Sequence, residues 1–312
     1  MKGFQIPNKI SKQTYLLFIP IFLALILVVL VLIVSFIGIW IKVNTLVKTP
    51  FVITQEAKMP IIKTSFIPDI SANEAIIMDA DSKVVLYSKN PDIRSSTAST
   101  IKIMTALAAL DHFALLDILT ATKPFPDGSV LGLIDGEKMT FENLLYAMLL
   151  PSANDAAVTI AKNYPGGETA FVRAMNGKAK TLELYNTHYS DAAGLADDGD
   201  YTTPFDLARL ASFAMQNQEL RKIVGTKEKI INDTTGIHVY DLNNLNVLLG
   251  VDGVDGVKTG YTEEAGEVLV TSKEEKGKDI IIVVMNSADR FTDTQKLLDL
   301  VSNNLTYLSI HP

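Results

Sequence analysis

The chain has 312 residues, 48% of them hydrophobic, no cysteine and a formal net charge of −7. Without cysteine there is no disulfide framework, no thiolate metal site and no cysteine nucleophile. Five of the 28 basic residues and none of the acidic ones lie in residues 1–49, leaving 23 basic against 35 acidic in the rest. Such an acidic body argues against a nucleic-acid partner, because phosphate contacts need Lys and Arg.

Leu16 to Ile41 is 26 residues without a charge. As a helix it would measure about 39 Å, more than the roughly 30 Å hydrocarbon core of a bilayer. Tyr15 and Trp40 sit at its ends, where interfacial aromatics belong. A cleaved signal peptide would have a shorter apolar core, of about 7–15 residues, followed by a small-residue cleavage site. The expectation is an uncleaved anchor over 16–41 with residues 1–15 cytoplasmic, since Lys2, Lys9 and Lys12 outnumber Lys42 and Lys48. The remainder would then lie outside the membrane. Residues 42–73, interrupted by Pro50, Pro60 and Pro68, read as a stalk, and 74–312 as the working domain.

Two β-rich runs, Ala75–Met78 and Val84–Tyr87, flank the turn formers of 79–82 and predict a hairpin. An unusually apolar helix is expected from Ser99, buried because almost no polar face is left. From Phe113 to Leu220 the pattern is helical and loop-like. Helices are predicted at 141–150, stopped by Pro151, then at 155–163, 168–184 and 205–215, with an Asp-, Gly- and Thr-rich loop over 186–203. Strand signals return at Val254–Thr262, Glu267–Ser272 and Asp279–Ser287, joined by short Gly-containing connections that imply antiparallel hairpins. An amphipathic helix is expected at 292–308. The fold class is α+β: the terminal strands form one antiparallel sheet, a helical subdomain lies between them in sequence, and the site falls in the crevice between the two.

Three short motifs carry the chemistry. Ser99 and Lys102 are three apart at the start of the buried helix, so a base can reach a nucleophilic hydroxyl. Ser152-Ala153-Asn154 follows Pro151 in a tight inter-helix turn. Other Ser-x-Asn copies occur at 71–73, 88–90 and 302–304, where turns or caps explain them. Lys258-Thr259-Gly260 occurs once, on a predicted strand, with Gly260 leaving room for a substrate backbone. Each motif alone is weak. Their order matches the Ser-x-x-Lys, Ser-Asp-Asn, Lys-Thr-Gly signature of penicillin-binding proteins and class A β-lactamases, with Ala153 in place of the middle Asp.

From about Glu74 to Leu308 the chain resembles the low-molecular-weight serine D-alanyl-D-alanine carboxypeptidases. The stretches that carry the resemblance include AIIMDADSKVVLYSKN, STASTIKIMTALAAL, MLLPSANDAA, NTHYSDAAGL, TTPFDLARLA, NLNVLLG, GVDGVKTGYTEEAG and SADRF. The resemblance implies a five-stranded antiparallel sheet with a helical cluster. It implies Ser99 as acylated nucleophile, Lys102 as its proton acceptor, and Ser152 and Asn154 as proton relay and amide holder. Lys258 and Thr259 would take the terminal carboxylate beside Gly260, with the backbone N–H groups of Ser99 and Tyr261 as oxyanion donors. It further implies a peptidoglycan stem peptide ending in D-Ala-D-Ala as substrate, β-lactams as covalent inhibitors, and neither metal nor cofactor.

The chain departs from the family in places. Many relatives carry a His where Asp200 stands, so Asp200 is assigned no role. His188 and Asp191 read as loop residues, and Arg290 aligns poorly with the family's late carboxylate-binding Arg. Longer relatives append a β-rich domain and a C-terminal anchor; here the N-terminal helix is expected to replace that tether. A D,D-endopeptidase remains open, because it shares the chemistry. A β-lactamase is less favoured, since Glu183 falls one residue short of the deacylating Glu, and a catalytically dead membrane scaffold is disfavoured by the full set of side chains.

Overall fold

A computed structural model describes residues 12–47, 57–64, 66–124, 128–195 and 199–310. Most of the predicted cytoplasmic N-terminus, and residues 48–56 of the predicted stalk, lie outside the described residues. The chain forms two units, residues 57–310 and a separate N-terminal one. The described residues of the N-terminal unit form a helix, α1 (Lys12–Val47), within which Phe22–Lys42 is long and apolar enough to cross a membrane by length and composition.

The larger unit is built on a five-stranded antiparallel sheet. Its strands are β2 (Glu74–Asp79), β3 (Val85–Lys89), β8 (Val254–Thr262), β9 (Gly266–Glu275) and β10 (Lys278–Ser287), in the order β3-β2-β10-β9-β8. The N-terminal hairpin and the C-terminal strands therefore share one sheet, as expected. All six residues of β2 are buried, as is the run Ile280–Met285 of β10, because both faces of the sheet are covered. Successive side chains alternate between the faces. Ile76, Met78, Ile281, Val283 and Met285 enter the larger core with the helices, whereas Ala75, Ile77, Ile280, Ile282 and Val284 pack on Leu297, Leu298 and Val301 of α8 (Arg290–Asn304).

Between the two parts of the sheet come the 3₁₀ turn Ala98–Ile101, α2 (Lys102–Leu110), the short pair β4 (Ile118–Thr120) and β5 (Lys138–Thr140), and α3 (Phe141–Leu149). They are followed by α4 (Asn154–Asn163), α5 (Gly167–Thr181), α6 (Pro204–Ala214), α7 (Gln218–Val224) and the hairpin β6 (Glu228–Asn232) with β7 (Val239–Asn243). Thr140 caps α3 by accepting from Asn143 N at 3.2 Å, and Thr203 caps α6 through Asp206 N at 3.1 Å. The start of α4 has no side-chain cap. Instead its Asp155 accepts the backbone N–H groups of Leu131, Gly132 and Leu133 at 2.9–3.0 Å and ties that loop to the helix.

Two predicted elements end differently. The last helix stops at Asn304, and Leu305–Ile310 is instead a strand, β11, pairing antiparallel with β1 (Ala57–Ile62). Both strands had been read otherwise, β1 as stalk and β11 as the helix end. Their pairing joins segments more than 240 residues apart, which no local pattern announces.

Candidate active site

Ser99 lies on the 3₁₀ turn that leads into α2, not inside the α-helix itself. In a 3₁₀ turn residues i and i+3 eclipse, which sets Lys102 directly behind Ser99. The turn is held from below by the 186–195 loop. A Cβ on Gly194 would fall 2.2 Å from the Ala98 carbonyl oxygen, so only glycine fits there, and its φ of +81° favours glycine as well. Thr105 of α2 donates to Ala192 O at 2.7 Å from the other side.

The Lys102 side chain is fully buried. Its Nζ lies 2.8 Å from Ser99 Oγ, 2.9 Å from Asn154 Oδ1 and 2.7 Å from Ala193 O. Two of these neighbours are carbonyl oxygens that only accept. The third is a hydroxyl that can do either. A neutral amine fits all three: its two N–H bonds go to the carbonyls and its lone pair faces the Ser99 hydroxyl. Burial pulls the Lys102 pKa down to about 7, against an opposing pull from Asp191. The repulsion between Lys102 and Lys258 does not lower the Lys102 pKa. That repulsion falls on Lys258, whose pKa is held well below the ordinary lysine value by burial first, then by Lys102 and Arg290.

Asp191 had been read as an ordinary loop residue. Its carboxylate accepts from the N–H groups of Ala193 at 2.5 Å, Gly194 at 2.6 Å and Leu195 at 2.8 Å. It thereby fixes the turn whose Ala193 carbonyl holds Lys102. Another acid near this loop, Asp200, is buried and accepts from Ser190 N and Oγ. Burial raises its pKa to about 6, partly offset by the Ser190 backbone hydrogen bond. His188 pairs through its backbone with Tyr201 and donates from Nδ1 to Gly199 O at 3.0 Å, holding the two sides of the loop together.

The turn between α3 and α4 brings Ser152 and Asn154 to the same region. Ser152 is buried with φ at +68°, the left-handed region that is costly for a side-chain-bearing residue, and its Oγ has no hydrogen-bond partner among the described residues. A buried hydroxyl left unpaired calls for a group that arrives later, such as substrate or water. The turn is braced by Asn154 N donating to Ser129 O at 2.7 Å and Ser129 Oγ donating to Pro151 O at 2.8 Å.

Lys258, Thr259 and Gly260 lie on β8, the edge strand of the sheet. A Cβ on Gly260 would sit 3.2 Å from Ala98 Cβ and 3.3 Å from Ser99 N, so β8 runs tight against the serine turn. Lys258 is buried and donates from Nζ to Thr259 O at 2.9 Å. Arg290, at the start of α8, donates from Nη1 to Gly260 O at 2.8 Å, and its Nε is buried with no hydrogen-bond partner among the described residues. Three basic side chains, Lys102, Lys258 and Arg290, thus converge near one strand edge, burial lowering the pKa of both lysines. Sequence reasoning set Arg290 aside because its spacing aligned poorly; the contact to Gly260 crosses 30 residues and depends on where α8 begins. Glu183 lies elsewhere, at the exposed end of α5, paired to Arg209 at 2.9 Å.

A buried amine with a lowered pKa, a hydroxyl at its tip, a second buried hydroxyl and a strand edge lined by basic side chains are the groups that serine acyl transfer requires. A family profile described as D-alanyl-D-alanine carboxypeptidase, peptidase S11, matches residues 61–289. The chain is 33% identical over 238 residues to D-alanyl-D-alanine carboxypeptidase DacF of Bacillus subtilis, a match covering 73% of this chain and 61% of that relative. It is 36% identical over 254 residues to the D-alanyl-D-alanine carboxypeptidase of Streptomyces sp. strain K15, covering 74% and 87%. It is 30% identical over 249 residues to a D-alanyl-D-alanine endopeptidase of Escherichia coli, covering 78% and 80%. The crystal structure of the Streptomyces K15 DD-transpeptidase superposes with a TM-score of 0.71 at 34% identity, covering 75% of this chain and 98% of that one. The chain belongs to the D-alanyl-D-alanine carboxypeptidase family, the low-molecular-weight penicillin-binding serine peptidases.

Proposed function

We propose that this carboxypeptidase removes the terminal D-alanine of a peptidoglycan stem peptide through an acyl-enzyme on Ser99. The observation that carries the reading is the buried Lys102 amine, 2.8 Å from Ser99 Oγ with a pKa near 7. Its lone pair takes the Ser99 proton as Oγ attacks the carbonyl of the penultimate residue. Charge on the carbonyl oxygen is met by the backbone N–H groups of Ser99 and Tyr261, which flank the tight Gly260 contact. Ser152 passes the proton to the departing amine, and Asn154 holds both Lys102 and the substrate amide. The free carboxylate of the leaving D-alanine is bound by Lys258 and Thr259, with Arg290 adding a permanent charge beside them. Upstream residues of the peptide lie along the open edge of β8. Water then hydrolyses the ester, with Lys102 again as base.

A β-lactam enters by the same first step, so the chain is read as penicillin-binding. The test is to incubate the protein with penicillin and map the adduct by mass spectrometry. An adduct on Ser99, absent in Ser99→Ala, supports the mechanism; no adduct, or one that survives the substitution, overturns it. A second reading, D,D-endopeptidase, is favoured by relatives bearing that name at 30–31% identity. Release of D-alanine from a pentapeptide, measured against cleavage of cross-linked dimers, separates the two. The α1 helix is read as a membrane anchor with its N-terminus cytoplasmic and the catalytic unit outside, a topology that protease accessibility in intact cells tests.

A further inference from the structure

A second cluster of side chains, formed by none of the residues above, lies where β5 meets the β6–β7 hairpin. Glu137 directly precedes β5; Asp233 and His238 come from the connection between β6 and β7. The three residues each offer a ligand atom, all within 4.8 Å of one another. His238 Nδ1 is 3.4 Å from Asp233 Oδ2 and 3.8 Å from Glu137 Oε1. That nitrogen is buried and has no hydrogen-bond partner among the described residues, although the side chain as a whole is 39% exposed.

These separations exceed the roughly 2.7–3.2 Å of an N–H···O hydrogen bond, although both carboxylates lie within ion-pair range of the imidazole. They approach the spacing of ligands around a shared ion. Zinc held tetrahedrally at about 2.0–2.2 Å by nitrogen and oxygen places its ligand atoms roughly 3.3–3.6 Å apart. Magnesium and calcium prefer oxygen ligands throughout, which the imidazole does not supply. The carboxylates are also oriented from behind, as metal ligands usually are. Tyr240 O–H donates to Glu137 Oε1 at 2.7 Å, and Ile134 N–H donates to Oε2 at 2.8 Å. Thr235 Oγ1 donates to Asp233 Oδ2 at 2.6 Å, while the N–H groups of Ile237 and His238 hold Oδ1. The imidazole is the exposed member of the cluster, the two carboxylates being buried beneath it.

We propose that Glu137, Asp233 and His238 form a binding site for a divalent transition-metal ion of the zinc type, with water completing a four-coordinate shell. The ion pins the hairpin to β5, alongside the backbone bond from Thr234 N to Lys138 O at 2.8 Å. Downstream of the hairpin, Leu245 N bonds Leu150 O just before the Ser152 turn, and Asn246 Nδ2 bonds Gly256 O at the start of β8. The site thus secures a segment that bridges both walls of the catalytic groove, and it stands independently of the reading of that groove.

The test uses the untagged full chain in detergent, stripped with a chelator and titrated with cobalt(II) chloride and with zinc sulfate. One equivalent of cobalt should bind with the strong visible absorption of a four-coordinate site. His238→Ala and Glu137→Gln should each weaken binding at least about tenfold, and zinc should raise the unfolding midpoint of the wild type but not of His238→Ala. A native circular-dichroism spectrum and a cooperative unfolding transition show that each variant is folded. Absence of binding, a pale six-coordinate spectrum, or binding that survives both substitutions in folded protein overturns the proposal.

Discussion

The balance of forces on a few buried residues decides whether the site works. Lys102 is the clearest case: its three neighbours suit a neutral amine, and burial rather than a neighbouring cation supplies that neutrality. Gly194 matters in another way, because its missing side chain lets the Ala98 carbonyl lie where a Cβ would be. Gly194→Ala should cost about 2–4 kcal/mol and slow acylation by displacing the serine turn, which thermal denaturation and penicillin labelling would show. Asp200 makes the opposite contribution to stability. Its folded pKa, near 6, is raised above the unfolded value, so its contribution is fully present below the unfolded carboxylate pKa and is lost as pH rises through about 6. Asp200→Asn removes that titration. Its melting temperature relative to wild type should therefore rise between pH 4 and pH 7, flagged by the roughly 3.9 reference value and the raised one; a constant difference would count against this account.

At the scale of elements, the sheet joins β2 near one end of the chain to β8, β9 and β10 near the other, and α8 seals the outer face. Asp293 of α8 is the main polar link in that seal. It accepts from Ser71 N and Oγ, Ala72 N and Ser287 Oγ at 2.7–2.9 Å. Burial opposes its ionisation, but these hydrogen bonds prevail and hold its pKa below the ordinary value. Its stabilisation is therefore present above the unfolded carboxylate pKa and is lost as pH falls through the folded one. Asp293→Ala should destabilise by roughly 2–4 kcal/mol at neutral pH, with a smaller loss in acid, as read by denaturant titration. The sheet, the buried helix after Ser99 and the three motifs were legible because apolar periodicity and short spacings are local signals. The β6–β7 hairpin was not legible: each strand buries a single residue, so no alternation marks it. Asp191 and Arg290 were missed for a related reason. One acts through three backbone N–H groups of its own turn, the other through a carbonyl brought near by the fold, and neither partner has a side-chain signature.

For the whole molecule, the proposed function gives location to the apolar α1 helix and chemistry to the acidic unit of residues 57–310. As an anchor, α1 should keep the full chain in the membrane pellet after alkaline carbonate extraction, with the N-terminus intact. A mature chain beginning beyond residue 41 would identify the helix as a cleaved signal instead. The central claim is that Ser99 is acylated with neutral Lys102 as its base, and the most direct test is the pH dependence of the second-order rate of penicillin acylation at Ser99. The account predicts a rate that rises with pH through a midpoint near 7, where Lys102 loses its proton, and a loss of roughly 10²–10⁴-fold in Lys102→Ala. A rate that is flat through neutral pH, or that rises only near the ordinary lysine pKa of about 10.4, would contradict it.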